Sequence, residues 1–164
     1  MNHQLISPLP EDCLPQLWGW LAEFRKQMVD AASPETFTDL LAKYRSDHAA
    51  GAVSFGAFRE TGNGHRGELL GIVWGEFMGD GIFTGHMVFS REISSAEKME
   101  IAKSSLAQWT ARKIRWPMFS DNRAYRIFLR RLGAKEEGLF HEEARREGEL
   151  QDVIVMASFP KGRA

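Results

Sequence analysis

Two side chains able to carry a proton fall on successive strand-like stretches of this 164-residue chain. Glu76 lies near the end of the alternating run GELLGIVWGEF, on the side that Leu70, Ile72 and Trp74 share, an odd place for a charge if that side is buried. His86 sits in the middle of IFTGHMVFS, on the side of Thr84 and Val88. Either group can act as a general base, directly or through one water, and either can equally be a solvated or hydrogen-bonded structural residue. Further on, Asn122 opens the amphipathic stretch SDNRAYRIFLRRLG, which Gly133 ends. Asparagine and aspartate are the usual N-caps, so Asn122, with Asp121 beside it, is either a cap or a ligand contact. Tyr125 adds a phenol one turn into that helix. Arg126 and Arg130, four apart with Arg123 near them, make a basic face that meets either water or an anion, while Ile127 and Leu132 lean toward the core.

These groups need elements to hold them. HQLIS reads as a first strand, and Leu14, Leu17, Trp18, Leu21, Phe24 and Met28 recur at the steps of an amphipathic helix. SPETFTDLLAKYRSDHAAG reads as a second helix, with Ser33 as N-cap, Pro34 at the first helical position and Gly51 as the stop. After Gly51 the period changes to 2. AVSFGAFRE and GELLGIVWGEF form strands joined by TGNGHRG, and MGDG turns the chain into IFTGHMVFS, which completes an antiparallel meander. SSAEKMEIAKSSLAQW is helical, with Met99, Ala102, Leu106 and Trp109 on one stripe and capping-box spacing between Ser94 and Glu97. KIRWPMF is a short strand expected to lose pairing at its proline. Then come the helix of Asn122 and two last strands. The order β-α-α-β-β-β-α-β-α-β-β gives an α/β (α+β) fold: a mixed, mostly antiparallel sheet with helices on both faces.

Composition narrows the function classes. The length suits one domain, 1–164, with a sizeable core. A net charge of −1 gives no bulk attraction for nucleic acid. No apolar run is long enough for a membrane span, the amino terminus lacks the features of a signal peptide, and the single Cys13 has no disulfide partner. No Cys/His set has zinc spacing, so no metal is expected. The expectation is a cytoplasmic protein. Trp18, Phe24 and Phe37 fall on the buried stripes, whereas Trp20 lies off them and is the better candidate for a ligand wall.

The element order, with Asn122, Gly133, Glu137, Gly138, Gly148 and Asp152 in register over 31 residues, resembles the GNAT (Gcn5-related N-acetyltransferase) superfamily. The chain is also similar to the divergent GNAT-like proteins of phage and prophage genomes. The resemblance implies an acyl-CoA-dependent N-acyltransferase, with acetyl-CoA as co-substrate and a small-molecule amine or peptide amino terminus as acceptor. It further implies a parting of the fourth and fifth strands that admits the pantetheine arm. By that resemblance Met87, Val88 and Phe89 line the arm and supply an oxyanion amide. Arg91, Ser94, Ser95 and Ala96 meet the diphosphate, Asn122 holds the thioester end, and Arg126 faces the 3′-phosphate and adenine. Glu76 or His86 is then the base, and Tyr125 the acid near sulfur.

Four positions depart from the pattern. Ser94 stands where relatives carry a phosphate-loop glycine, and Leu129 stands where many carry the tyrosine that protonates the thiolate. Ala134 and His141 replace a common Phe and Arg. These departures open a second reading, a catalytically inactive GNAT-like binding or structural protein. Exposed strand edges and the C-terminal hairpin permit a homodimer.

Overall fold

The computed structural model describes residues 3–24, 34–62 and 65–160. Among the described residues seven strands and four helices follow one another as β1 His3–Ile6, α1 Leu14–Phe24, α2 Phe37–Ala49, β2 Val53–Glu60, β3 Arg66–Gly79, β4 Ile82–Phe89, α3 Ser95–Gln108, β5 Lys113–Phe119, α4 Arg123–Arg131, β6 Lys135–Arg146 and β7 Glu149–Ser158. This is the order read from the sequence, with one added turn of 3-10 helix, Glu11–Cys13, before α1. The strands form one sheet in the order β1-β2-β3-β4-β5-β7-β6. Every neighbouring pair is antiparallel except β4 with β5.

Each face of the sheet has its own core. Leu14, Leu17 and Leu21 of α1 and Leu40 of α2 pack on Ile72 and Val88. On the opposite face Leu129 of α4 and Trp109, just beyond α3, pack on Val73, Trp116 and Met156. Ile101 of α3 closes a smaller cluster with Ala57, Leu70 and Ile93. The buried residues of α3 are Ile101, Ala102 and Ser105; of the expected stripe, Ala102 and Trp109 are buried, Leu106 packs on the core and Met99 is half-buried.

Several expectations change. Helix α2 begins at Phe37, not at Pro34: the Thr36 hydroxyl accepts from the Asp39 amide and Asp39 accepts from the Thr36 amide, a complete capping box. The Ser33 cap and the Met28 position lie outside the described residues, as does part of the TGNGHRG turn. Phe37 is exposed as the first residue of α2. Trp20 packs with Trp18 against the α1/α2 core and does not line the pocket described below. Ile127 is 52% exposed, and Tyr125 and Leu132 take the core-facing places beside Leu129.

Two differences have a common origin in pairing. The β2–β3 register slips between Ala57 and Phe58, which face Gly71 and Leu69. This bulge puts Leu70 on the α3 face, while Ile72 joins the α1/α2 core. Strand β5 also runs on through Pro117, which sits opposite Val155 of β7. The Ser120 amide donates to the Asp152 carbonyl. By strand alternation, residues 118 and 116 also turn their amides to β7, and residue 117 points the other way. A proline there removes a donor only from the side facing β4, where no partner strand remains.

Candidate acyl-transfer site

The parallel pairing of β4 with β5 is short. Ile82, Phe83 and Thr84 pair with Lys113, Ile114 and Arg115, and beyond Thr84–Arg115 the two strands run on unpaired. The result is a wedge between residues 85–89 and 116–119. At its apex Trp116 lies against Gly85, where a β-carbon would come within 2.4 Å of the indole. The Ser90 amide donates to the Leu70 carbonyl of β3. Alternation then turns the amides of Val88 and His86 toward β3 and those of Met87 and Phe89 into the wedge, while the Gly85 amide closes the last rung of the β4–β5 pairing at Arg115. Of the three residues expected along a pantetheine arm, Met87 and Phe89 therefore face the cleft. Val88 faces β3, and its side chain is buried under α1.

Helix α4 closes the wedge on one face. Asn122 caps it, its Oδ1 accepting the Tyr125 amide at 3.2 Å. Asp121 takes no part in the cap and pairs with Arg146. Tyr125 packs into the core cluster that includes Met87 and Trp116. Burial pushes its phenol above the ordinary value, so it stays protonated throughout the neutral range. Phe128 meets Phe89 with ring centres 5.9 Å apart, spanning from α4 to the end of β4. Half-buried Arg126 lies one turn into the helix, its amide bonded to the Asn122 carbonyl.

The start of α3 is occupied differently from an open phosphate loop. Ser94 is the N-cap at φ −68°, so serine is unstrained there and a glycine is not needed for the backbone path. Its hydroxyl accepts the Glu97 amide, and Glu97 takes the Ser94 amide at 2.7 Å. Those hydrogen bonds hold the Glu97 carboxyl below the usual carboxylate range. One of its oxygens, Oε1, is buried without a hydrogen-bond partner among the described residues. Ser95 and Ala96 follow as exposed first-turn residues, and Arg91 reaches Glu23 of α1 at 3.0 Å.

On the other face of the sheet lies a pocket of about 60 Å³ beneath α2. Leu9, Leu17, Leu21, Leu40 and Ile72 form its apolar wall; Trp74 and Glu76 form its edge toward β4. The Lys43 ammonium lies 2.8 Å from Glu76 and 2.9 Å from Asp47. Burial alone would lower the Lys43 pKa, and the two carboxylates more than offset that, so the group remains an ammonium. His86 stacks on Trp74 with ring centres 4.9 Å apart, and its Nε2 is 4.0 Å from Glu76 Oε1, beyond direct hydrogen-bond length. The two proton carriers singled out in the sequence are thus neighbours, between the pocket and the wedge. At the inner end the Tyr44 hydroxyl donates to the Leu9 carbonyl, the Leu9 amide donates to Ser54 Oγ at 2.9 Å, and His48 Nε2 lies 3.0 Å from the same oxygen.

The residues of this pocket that sequence reasoning missed are Lys43, Asp47, His48, Ser54 and Trp74; Tyr44 belongs to the aromatic set of the first half of the chain that could contact a substrate. Their trace in the sequence is the pair of i,i+4 spacings, Lys43–Asp47 and Tyr44–His48, on one side of a helix.

The C-terminal motif does structural work. Glu137 of β6 binds Lys113 and Arg115 of β5, and the Lys113 hydrogen bond lowers its pKa. Asp152 of β7 accepts the Glu142 amide at 3.0 Å and sits 3.2 Å from His141.

No protein-family profile and no curated protein sequence matches the chain. Solved structures do. Spermidine N-acetyltransferase from Vibrio cholerae, in complex with CoA and spermine, superposes with a TM-score of 0.76 over 96% of this chain and 95% of that one, at 16% identity. A chimera of that enzyme, SpeG, with hSSAT gives 0.75 at 16% identity, covering 98% and 97%. A candidate acetyltransferase from Acinetobacter baylyi ADP1 gives 0.75 at 12% identity, covering 96% and 92%. The fold is that of the GNAT acyl-CoA N-acyltransferases. Among the described residues no helix is long and apolar enough to cross a membrane.

Proposed function

We propose that this protein is a single-domain, cytoplasmic acyl-CoA-dependent N-acyltransferase, with acetyl-CoA as donor and a small primary amine as acceptor. The observation that carries this reading is the parting of β4 and β5 after Thr84–Arg115, with the Met87 and Phe89 amides turned into the gap and His86 and Glu76 beside it. Fold likeness at this identity carries no activity by itself. What supports the reading is an edge of unpaired strand amides, to which pantetheine can add as a peptide adds to a sheet.

In this scheme the acyl-CoA enters between α3 and α4. Its diphosphate meets Arg91 and the amides of Ser94, Ser95 and Ala96 at the start of α3. Arg126 takes the 3′-phosphate end, and Asn122 holds the thioester end through its side-chain nitrogen while its oxygen caps α4. The acceptor amine comes from the α1/α2 face and attacks the thioester carbon. A new C–N bond forms, and the oxyanion is met by a wedge-facing strand amide, that of Met87 or Phe89. The C–S bond then breaks. His86, next to Glu76, takes the acceptor's proton. Sulfur leaves as thiolate with a hydrogen bond from Tyr125, whose raised pKa suits it to donate such a bond and not to give up its proton.

A thiol-release assay with acetyl-CoA and a panel of primary amines tests the proposal. Turnover that falls at least a hundredfold in His86→Ala supports it, and no turnover with any amine by folded protein contradicts it. A second reading, a GNAT-shaped binding module of the phage or prophage kind, is favoured by one observation: Glu97 holds the Ser94 amide that a diphosphate would use.

A further inference from the structure

We propose that the pocket beneath α2 takes the short branched aliphatic body of a monoamine, with the ammonium at the Glu76–His86 edge, and that it discriminates against polyamines. The fate of the bound amine rests on the acyl-transfer reading; the binding does not.

Size sets the first limit. A closed cavity of about 150 Å³ holds benzene, and a water in the liquid occupies about 30 Å³. The pocket, about 60 Å³ and open on one side, is smaller than that and suits an aliphatic branch better than a whole aromatic ring. Its wall of Leu9, Leu17, Leu21, Leu40 and Ile72 gives such a branch apolar contact and offers a second charged group nothing.

Charge sets the second limit. The carboxylates of Glu76 and Asp47 share the single cation of Lys43, which leaves one negative charge unmatched. One further ammonium brings the cluster to neutrality. The second and third ammonium groups of a polyamine would meet no further carboxylate among the described residues that line the pocket. The inner polar end is no substitute, because Tyr44, Leu9, Ser54 and His48 already bond one another. Trp74, stacked on His86 at the same edge, adds a ring face for one cation.

The test is a titration of the full chain without acyl donor, followed through the tryptophan indole N–H signals, with isobutylamine and spermidine as probes. Isobutylamine is expected to shift the Trp74 signal and to bind at least tenfold more tightly than spermidine. Glu76→Gln and Leu40→Phe are each expected to weaken isobutylamine at least tenfold. Circular dichroism checks the fold of Leu40→Phe, and Glu76→Gln carries the test if that variant fails to fold. Thiol release with acetyl-CoA is then measured for both amines. Isobutylamine binding with no thiol release from either amine supports this inference and leaves acyl transfer to the wider amine panel. Turnover that favours spermidine overturns this inference and leaves acyl transfer standing. No binding of isobutylamine at millimolar concentration, or binding indifferent to both substitutions, also overturns it.

Discussion

The two faces of the sheet are built to different plans. The α1/α2 face keeps open space, and its charges surround that space: Lys43, Asp47 and Glu76 meet around the pocket, with His86 next to them. The α3/α4 face is filled. Trp109 and Trp116 pack edge to face with centres 6.3 Å apart, Phe128 reaches Phe89, and Ser94, Glu97 and Asn122 are engaged in helix caps. On the proposed reading an acceptor would find a place ready on one face, whereas the diphosphate of an acyl-CoA would compete with Glu97 for the Ser94 amide on the other. The unusual serine matters less for its backbone angle than for the glutamate it recruits.

The largest expected effect breaks the filled face. Trp116→Ala removes a fully buried ring and its indole bond to Ser158, and should cost about 3–5 kcal/mol in urea unfolding. A loss below about 1 kcal/mol would mean that the apex of the wedge is not the packed element described.

Asn122→Asp sharpens the comparison, because aspartate caps as well as asparagine but lacks the amide nitrogen. Stability should stay within about 0.5 kcal/mol of the parent, and acetyl-CoA affinity should fall about tenfold, about 1.4 kcal/mol. If affinity is unchanged, Asn122 is a cap and nothing more. Glu97→Gln keeps the capping-box geometry and removes the negative charge at the α3 start. It should tighten acetyl-CoA about fivefold, about 1 kcal/mol. Weaker binding would assign the carboxylate a positive role in the site.

The smallest effect concerns the open face. Burial holds the His48 pKa below the ordinary histidine value of 6.5. The unfolded chain then binds a proton that the folded chain refuses, so stability should decline as pH falls from about 6.5 toward the folded pKa. His48→Gln should flatten that part of the urea-midpoint profile. An unchanged slope would remove His48 from the account.

The same contrast explains what the sequence disclosed. The element order was legible because turn chemistry is local: Gly51 and Gly133 take positive φ just past α2 and α4, as their positions in the sequence suggest. The capping box of Ser94 and Glu97 was legible for the same reason. Thr36 was missed because Ser33-Pro34 offers an equally good local start three residues earlier. Leu70 was misplaced because a bulge changes the side-chain period without marking the sequence. Pro117 was misread because a proline's effect depends on which side of the strand lacks a partner. As for the site, Glu76 and His86 stood out singly, as polar groups on apolar strands. The pocket did not, because Lys43 and Asp47 meet Glu76 only after α2 folds across β3. Such a meeting of distant segments leaves no spacing to read.

The most direct test of the central claim is amide chemical-shift mapping of the isotope-labelled protein as acetyl-CoA is added. The largest shifts should fall at Met87 and Phe89, together with Ser94 to Ala96, with little change at Val88, whose amide faces β3. A folded protein in which none of these signals moves at millimolar acetyl-CoA would contradict it.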